Sequence, residues 1–169
     1  FKSQSERLAD NYRKELGINA CGSLCAFDLA KLLSVSVYPA KEFLTDVIDL
    51  NLLKGQNGMP DEFSALTIPT ATSNRIIIYN PFHSKARQQS DVMHEIAHII
   101  CEHKRSQTEY GFKIPIGMHE YDDIQEEEAK CLGATLQLAK PCLLWARNRS
   151  MTMDEIASHF TASSEMVQY

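Results

Sequence analysis

The chain of 169 residues has the length of one compact domain with a small appendage, with 44% hydrophobic and 23% charged residues and a formal net charge of -5. No apolar run approaches the roughly 18 to 20 residues of a spanning helix, and the acidic balance argues against a dedicated nucleic-acid binder, whose contact face would carry a basic excess. Five cysteines without regular spacing fit free thiols in a reducing cytoplasm better than a disulfide framework.

The opening Phe1-Lys2-Ser3-Gln4-Ser5-Glu6-Arg7 is charged and lacks the apolar stretch of a secretory signal, so a cytoplasmic location without membrane association is expected. From Ser5 to Leu16, the residues Leu8, Tyr12 and Leu16 recur every four positions, the pattern of a half-buried helix ending before Gly17. A second helix is expected over Ala26 to Leu33, and the β-branched alternation of Ser34 to Tyr38 predicts a strand stopped by Pro39. Another helix is expected over Phe43 to Leu53, and Gly55, Gly58 and Pro60 mark a loop. Ser64 to Ile68 and Arg75 to Tyr79 read as an antiparallel hairpin joined through Pro69 to Asn74. After the break at Asn80-Pro81, the segment from Ser84 to Lys104 is the expected central helix, with Val92, Met93, Ile96, Ala97, Ile99 and Ile100 as its apolar residues. Ser106 to Asp123 contains Gly111, Pro115 and Gly117 and reads as a long loop of the kind that binds or covers a site. A helix over Ile124 to Ala139 follows. Pro141 opens a last helical region with short helices over Thr152 to Phe160 and Ser163 to Tyr169.

His94-Glu95-Ile96-Ala97-His98 is an H-E-x-x-H set on the central helix. At about 3.6 residues per turn its two imidazoles stand one above the other, where both can reach a single ion at about 2.0 to 2.1 Å. Glu95 falls about 100° from His94 and about 60° from His98, beside the metal, where a general base for the attacking water is required. A chance pentapeptide would leave these histidines as ordinary surface or core residues. The apolar Ile96, Ala97, Ile99 and Ile100 bury the same helix, as a protease core helix requires, and favour the metal reading.

A catalytic zinc site takes three protein ligands and keeps one position open, so a third ligand is needed. A third histidine six positions on is excluded by Lys104, with Cys101 where its glycine would be, and His103 stands one residue early. The helix beginning Gln125-Glu126-Glu127-Glu128-Ala129 is the better source; its apolar stripe is Ala129, Leu132, Gly133 and Leu136. Glu127 projects away from that stripe, whereas Glu126 and Glu128 flank it. Glu126 also shares an edge with Ala129 and Gly133, two small residues that permit a close approach of the helices. A solvated acidic first turn favoured by the helix dipole is the alternative use of these glutamates.

Over most of its length the chain resembles the ImmA/IrrE-type metallopeptidases. The resemblance is carried by Phe63-Ser64-Ala65-Leu66-Thr67, Ile76-Ile77-Ile78-Tyr79-Asn80-Pro81, Arg87 ahead of the H-E-x-x-H set, and Glu126-Glu127-Glu128-Ala129 with Leu136, Leu138 and Pro141. It implies an α+β, zincin-like, mostly helical domain over 1–140 with a small antiparallel sheet, and a helix-turn-helix-like helical appendage over 141–169. It also implies that Glu126 completes a zinc site with His94 and His98. Relatives often carry aspartate or asparagine just after the alanine, in hydrogen-bond support of a zinc histidine. This chain has Lys130 there, which cannot accept a hydrogen bond from imidazole.

The expected activity is that of a zinc endopeptidase with Glu95 as general base and Tyr79, His103, Tyr110, His119 and Tyr121 as unranked candidates for oxyanion donor. The resemblance implies a narrow protein substrate, a helix-turn-helix repressor in a stress, phage or defence circuit. Cys101, one turn after His98, is either a thiol near the metal or a buried apolar cysteine, the commoner case. The rival reading is a non-proteolytic zinc-binding regulator that binds a repressor, nucleic acid or another stress effector. It draws on Thr152 to Ala157 with Thr161 to Ser164, and on the basic clusters His103-Lys104-Arg105 and Arg147-Asn148-Arg149.

Overall fold

The computed structural model describes residues 1–44, 46–55, 63–70, 75–104 and 122–168. Its class is α+β, mostly helical. In chain order the elements are α1 (Lys2–Glu15), α2 (Ala26–Leu32), β1 (Ser36–Pro39), a 3-10 turn (Ala40–Glu42), α3 (Val47–Leu53), β2 (Ala65–Pro69) and β3 (Arg75–Tyr79). They continue with α4 (Lys85–Ile100), α5 (Asp123–Gln137), α6 (Lys140–Arg147), α7 (Met153–Phe160) and α8 (Ser164–Gln168). No helix among the described residues is long and apolar enough to cross a membrane.

The sheet has the order β1-β3-β2 and is mixed rather than wholly antiparallel. β2 and β3 form the expected antiparallel hairpin, with Thr67 opposite Ile77, while β1 joins β3 in parallel with Val37 opposite Ile77. The strand expected from Ser34 starts two residues later because Ser34 lies in the left-handed region at φ 57°. There the α2 terminus closes on itself, Ser34 N donating to Lys31 O and Val35 N to Ala30 O. Pro39 ends the strand from within, at the tip of an edge strand where a missing N–H costs little. The helix expected from Phe43 starts only at Val47, as the shorter α3, because Phe43 closes the 3-10 turn as its C-cap. Of the expected loops, residues 56–62, 71–74 and 105–121 lie outside the described residues, and Asp122 already caps α5 by accepting from Gln125 N.

α4 is the centre of the molecule because both of its long faces are apolar. One side meets β2, β3 and α2; the other meets α5 in the most extensive helix pair of the fold. Ile77, Val92, Met93, Ile96, Ala97, Ala129, Leu132 and Leu136 are fully buried between these layers, each larger side chain contributing about 1.5 to 3 kcal/mol. Gly133 faces the α4 backbone so closely that a Cβ there would meet His94 Cα at 3.5 Å and Met93 O at 3.6 Å. The small residues of α5 thus set how near its first turn comes to the two histidines.

Two polar connections fix α5 from its far end. Arg13 of α1 is 1% exposed, and its guanidinium donates to Leu136 O (2.9 Å), Gln137 O, Ala9 O and Gly22 O. It therefore caps the carbonyl end of α5, where a cation is favoured. The buried Gln137 donates to Thr161 O at 2.8 Å and accepts from Ser90 Oγ at 3.0 Å, while Ser90 Oγ accepts from Ser163 N. This network docks the turn between α7 and α8 one helical turn before His94. Phe160 and Ala162 enter the same buried cluster as Ile77 and Val92.

Replacing Gly133 by alanine should be tolerated and raise stability by up to about 1 kcal/mol through helix propensity, since the added methyl meets only ordinary contacts. Gly133→Leu should instead drive α5 away from α4, costing about 1 to 3 kcal/mol. Thermal unfolding of the two variants checks this.

Candidate metal centre

α4 is started by Ser84, whose side chain accepts from Arg87 N, and one uninterrupted helix carries His94, Glu95 and His98. The helical period brings His94 Nε2 and His98 Nε2 to 3.0 Å, with their rings 80° apart. Glu126 arrives from the first turn of α5, Oε2 standing 3.4 Å from His94 Nε2 and Oε1 3.4 Å from His98 Nε2. These three side chains are the group whose donor atoms all lie within 4.8 Å of one another among the described residues. Two imidazole nitrogens and a carboxylate converging in this way are a donor set that zinc accepts. The residues present therefore fit that metal, and Glu126 reaches the histidines from the face of α5 on which it was expected.

His94 and Glu126 are partly open to solvent, their side chains 26% and 34% exposed, while that of His98 is 1% exposed. The hydrogen bond with His94 holds the Glu126 carboxyl below the usual range, helped by the charges of His94, His98 and Lys130 against the opposing effect of burial. A lowered carboxyl stabilises the fold above its ordinary value of about 4.3, and that contribution is lost as pH falls through the depressed one. The openness faces a cleft of about 360 Å³ lined by Ser90, Asp91, His94, Glu126, Lys130 and Ser163, with α8 residues on its rim. Asp91, one turn before His94, pairs with the buried His83 at 3.1 Å; burial pushes its carboxyl up, and the bond to His83 opposes this.

Glu95 is buried on the sheet side of α4, where Thr67 Oγ1 donates to its Oε2 at 2.6 Å. Thr67 ends one of the blocks that carry the family resemblance, but the sequence alone assigns it no role at the site. The signal that exposes it is a polar residue at an inward position of β2, opposite the fully buried Ile77.

The three successive glutamates have three different neighbours. Glu126 faces the histidines. Glu127 points outward and pairs with Lys130 at 3.1 Å. Glu128 accepts from the ring of His103, whose Nε2 lies 3.1 Å from its Oε2. His103 Nδ1 in turn lies 2.9 Å from His98 Nδ1. Both ring nitrogens of His103 are therefore engaged, by His98 and Glu128, which does not favour it as a donor to an oxyanion. Tyr79 packs edge-on against Phe27 with centroids 5.4 Å apart, and burial followed by the charge of Glu42 pushes its hydroxyl up. Tyr110, His119 and Tyr121 lie outside the described residues. Cys101 is half-buried, and burial above all, then Glu128 and Cys131, pushes its thiol up to about 11; it is not in the group whose donor atoms converge.

Residues 48–169 match the family model described as the IrrE N-terminal-like domain, a family of peptidases. No curated protein and no solved structure matches the chain.

Two measurements test this centre. Glu126→Ala should weaken zinc binding by more than the about 10- to 100-fold expected of an outer-sphere change, read by competition with a chromogenic chelator. At pH 8 Cys101 should react with iodoacetamide far more slowly than a free thiol of pKa about 8.5, read by mass spectrometry of the peptide that contains it.

Proposed function

The chain belongs to the family of the IrrE N-terminal-like domain of peptidases, and from that premise we propose that it is a zinc-dependent endopeptidase acting on a specific protein. The observation that carries this reading is the convergence of His94, His98 and Glu126 with a carboxylate, Glu95, on the same turn of helix. A purely structural zinc site closes its coordination sphere with four protein ligands and has no use for a base beside it. Three ligands plus that base are the composition of a hydrolytic site.

When bound, zinc supplies Lewis acidity, lowering the pKa of a water toward about 7 and polarising the scissile carbonyl. Glu95 takes the proton from the attacking water and delivers it to the departing amine. Thr67 donates to one oxygen of that carboxylate, so it fixes the direction of the base while the remaining lone pairs serve the proton transfer. The helix holds His94 and His98 in register, and α5, fixed at its far end by Arg13, delivers Glu126.

The proposed substrate is a helix-turn-helix repressor, cut within an extended segment. Support comes from the family and from the cleft beside His94, where Asp91, Glu126, Lys130 and serines interrupt a more apolar wall that includes Met166, a lining able to take both the main chain and the side chains of a peptide. β2 is an edge among the described strands, and its Thr67 touches the base. Main-chain pairing along a strand edge is a common way to hold a peptide straight.

Incubation of the protein with the repressor encoded beside it should yield one discrete cut that a chelator abolishes. Glu95→Gln should keep its zinc and lose about 10²- to 10⁴-fold in rate. Thr67→Val should keep its zinc and lose about 10- to 100-fold, through a misdirected base. Absence of any cut under all inducing conditions, with zinc bound, would transfer the chain to the class of non-proteolytic regulators.

A further inference from the structure

We infer that His103 and Glu128 are positioning residues for the metal ligand His98, setting its tautomer through a one-way chain of hydrogen bonds. This rests on the zinc reading above, and extends it to residues that touch no metal.

The backbone first makes the contact possible. α4 ends at Ile100, with Cys101 as its C-cap, and Glu102 enters the left-handed region at φ 54°. Glu102 N donates to Ile99 O at 3.1 Å and His103 N donates to His98 O at 3.0 Å. These two bonds turn the chain back on the helix end and lay the ring of His103 against that of His98, centroids 5.0 Å apart. A left-handed conformation in a residue other than glycine costs about 1 kcal/mol, which the turn tolerates.

The chemistry then allows one order of donors. His98 Nε2 faces His94 and Glu126, so as a metal ligand it must present a lone pair there, and its proton resides on Nδ1. Nδ1–H points at His103 Nδ1, 2.9 Å away, which must accept. His103 therefore carries its proton on Nε2, and donates it to Glu128 Oε2 at 3.1 Å. A carboxylate can only accept, so Glu128 fixes the sense of the entire chain. His98 and His103 are both buried, which limits what bulk water can offer in place of the acceptor. Lys130, where relatives often carry an acceptor, pairs instead with Glu127. Hydrogen-bond support of a ligating histidine orients the ring and raises its basicity, and here that support comes from the helix end rather than from α5 directly.

The test is zinc affinity of the full chain by chelator competition, alongside long-range proton–nitrogen NMR of the histidine rings in the zinc-loaded protein. His103→Phe keeps the ring volume and removes the acceptor, and Glu128→Ala removes the anchor. Each should lower zinc affinity about 10- to 100-fold, with metal-free melting temperature and circular dichroism close to those of the wild type. His103→Asn, whose side-chain oxygen can stand near Nδ1, and Glu128→Gln should stay within about threefold. In the wild type the rings should show the proton of His98 on Nδ1 and that of His103 on Nε2. A folded His103→Phe that binds zinc within about twofold of wild type, or a His103 proton found on Nδ1, overturns the inference. Should His103→Phe fail to fold, the ring protonation of the wild type decides alone. A wild-type protein that binds no zinc overturns the metal reading itself, and this inference with it.

Discussion

The structure depends on the distance between two helices. α4 supplies two imidazoles and the Glu95 carboxylate, and Glu126 joins the histidines only from α5, so the proposed chemistry waits on how near α5 comes. Gly133 against the His94 backbone, with the fully buried Ala129 a turn earlier, allows the approach. Leu132 and Leu136 on the same stripe supply the apolar burial that drives it. The desolvation of Glu126 is opposed by the neighbouring histidines and offset by this packing. The divided duties of Glu126, Glu127 and Glu128 follow from helical period alone, since neighbours about 100° apart on a helix of this pitch must face different surroundings.

What could be read in the sequence was whatever a single helix determines. The spacing of His94 and His98 is set by backbone geometry, and the side of α5 that carries Glu126 is set by its apolar stripe; both survive folding because neither depends on distant chain. Turns closed by left-handed residues other than glycine were invisible. Ser34 and Glu102 carry no signature of that conformation, so the strand was begun too early and the central helix run too far. The second error hid a consequence. His103 fails as a ligand because it is one residue short of the required spacing, and only the reversal at Glu102 reveals that it lies behind His98. The parallel pairing of β1 and the bond from Thr67 to Glu95 are likewise tertiary facts, although a polar residue at an inward strand position was a trace of the latter.

The C-terminal helices illustrate how one segment can be both frame and wall. Their turn is tied by Ser90 and Gln137 into the α4–α5 pair, and Phe160 is part of the common core. The same segment brings Ser163 to the cleft beside His94. The capping box of α7, with Thr152 and Glu155 satisfying each other's backbone groups, begins that helix without help from the rest of the protein.

Arg13 gives α5 an asymmetry. At one end the helix is held by a guanidinium that stays charged at any pH a protein survives, bound to carbonyls that do not titrate. At the other it is held through Glu126, whose carboxylate meets His94 and His98 and loses its charge in acid. Loss of the Glu126 charge therefore weakens the attachment of the first turn alone, while the Arg13 end of α5 stays clamped.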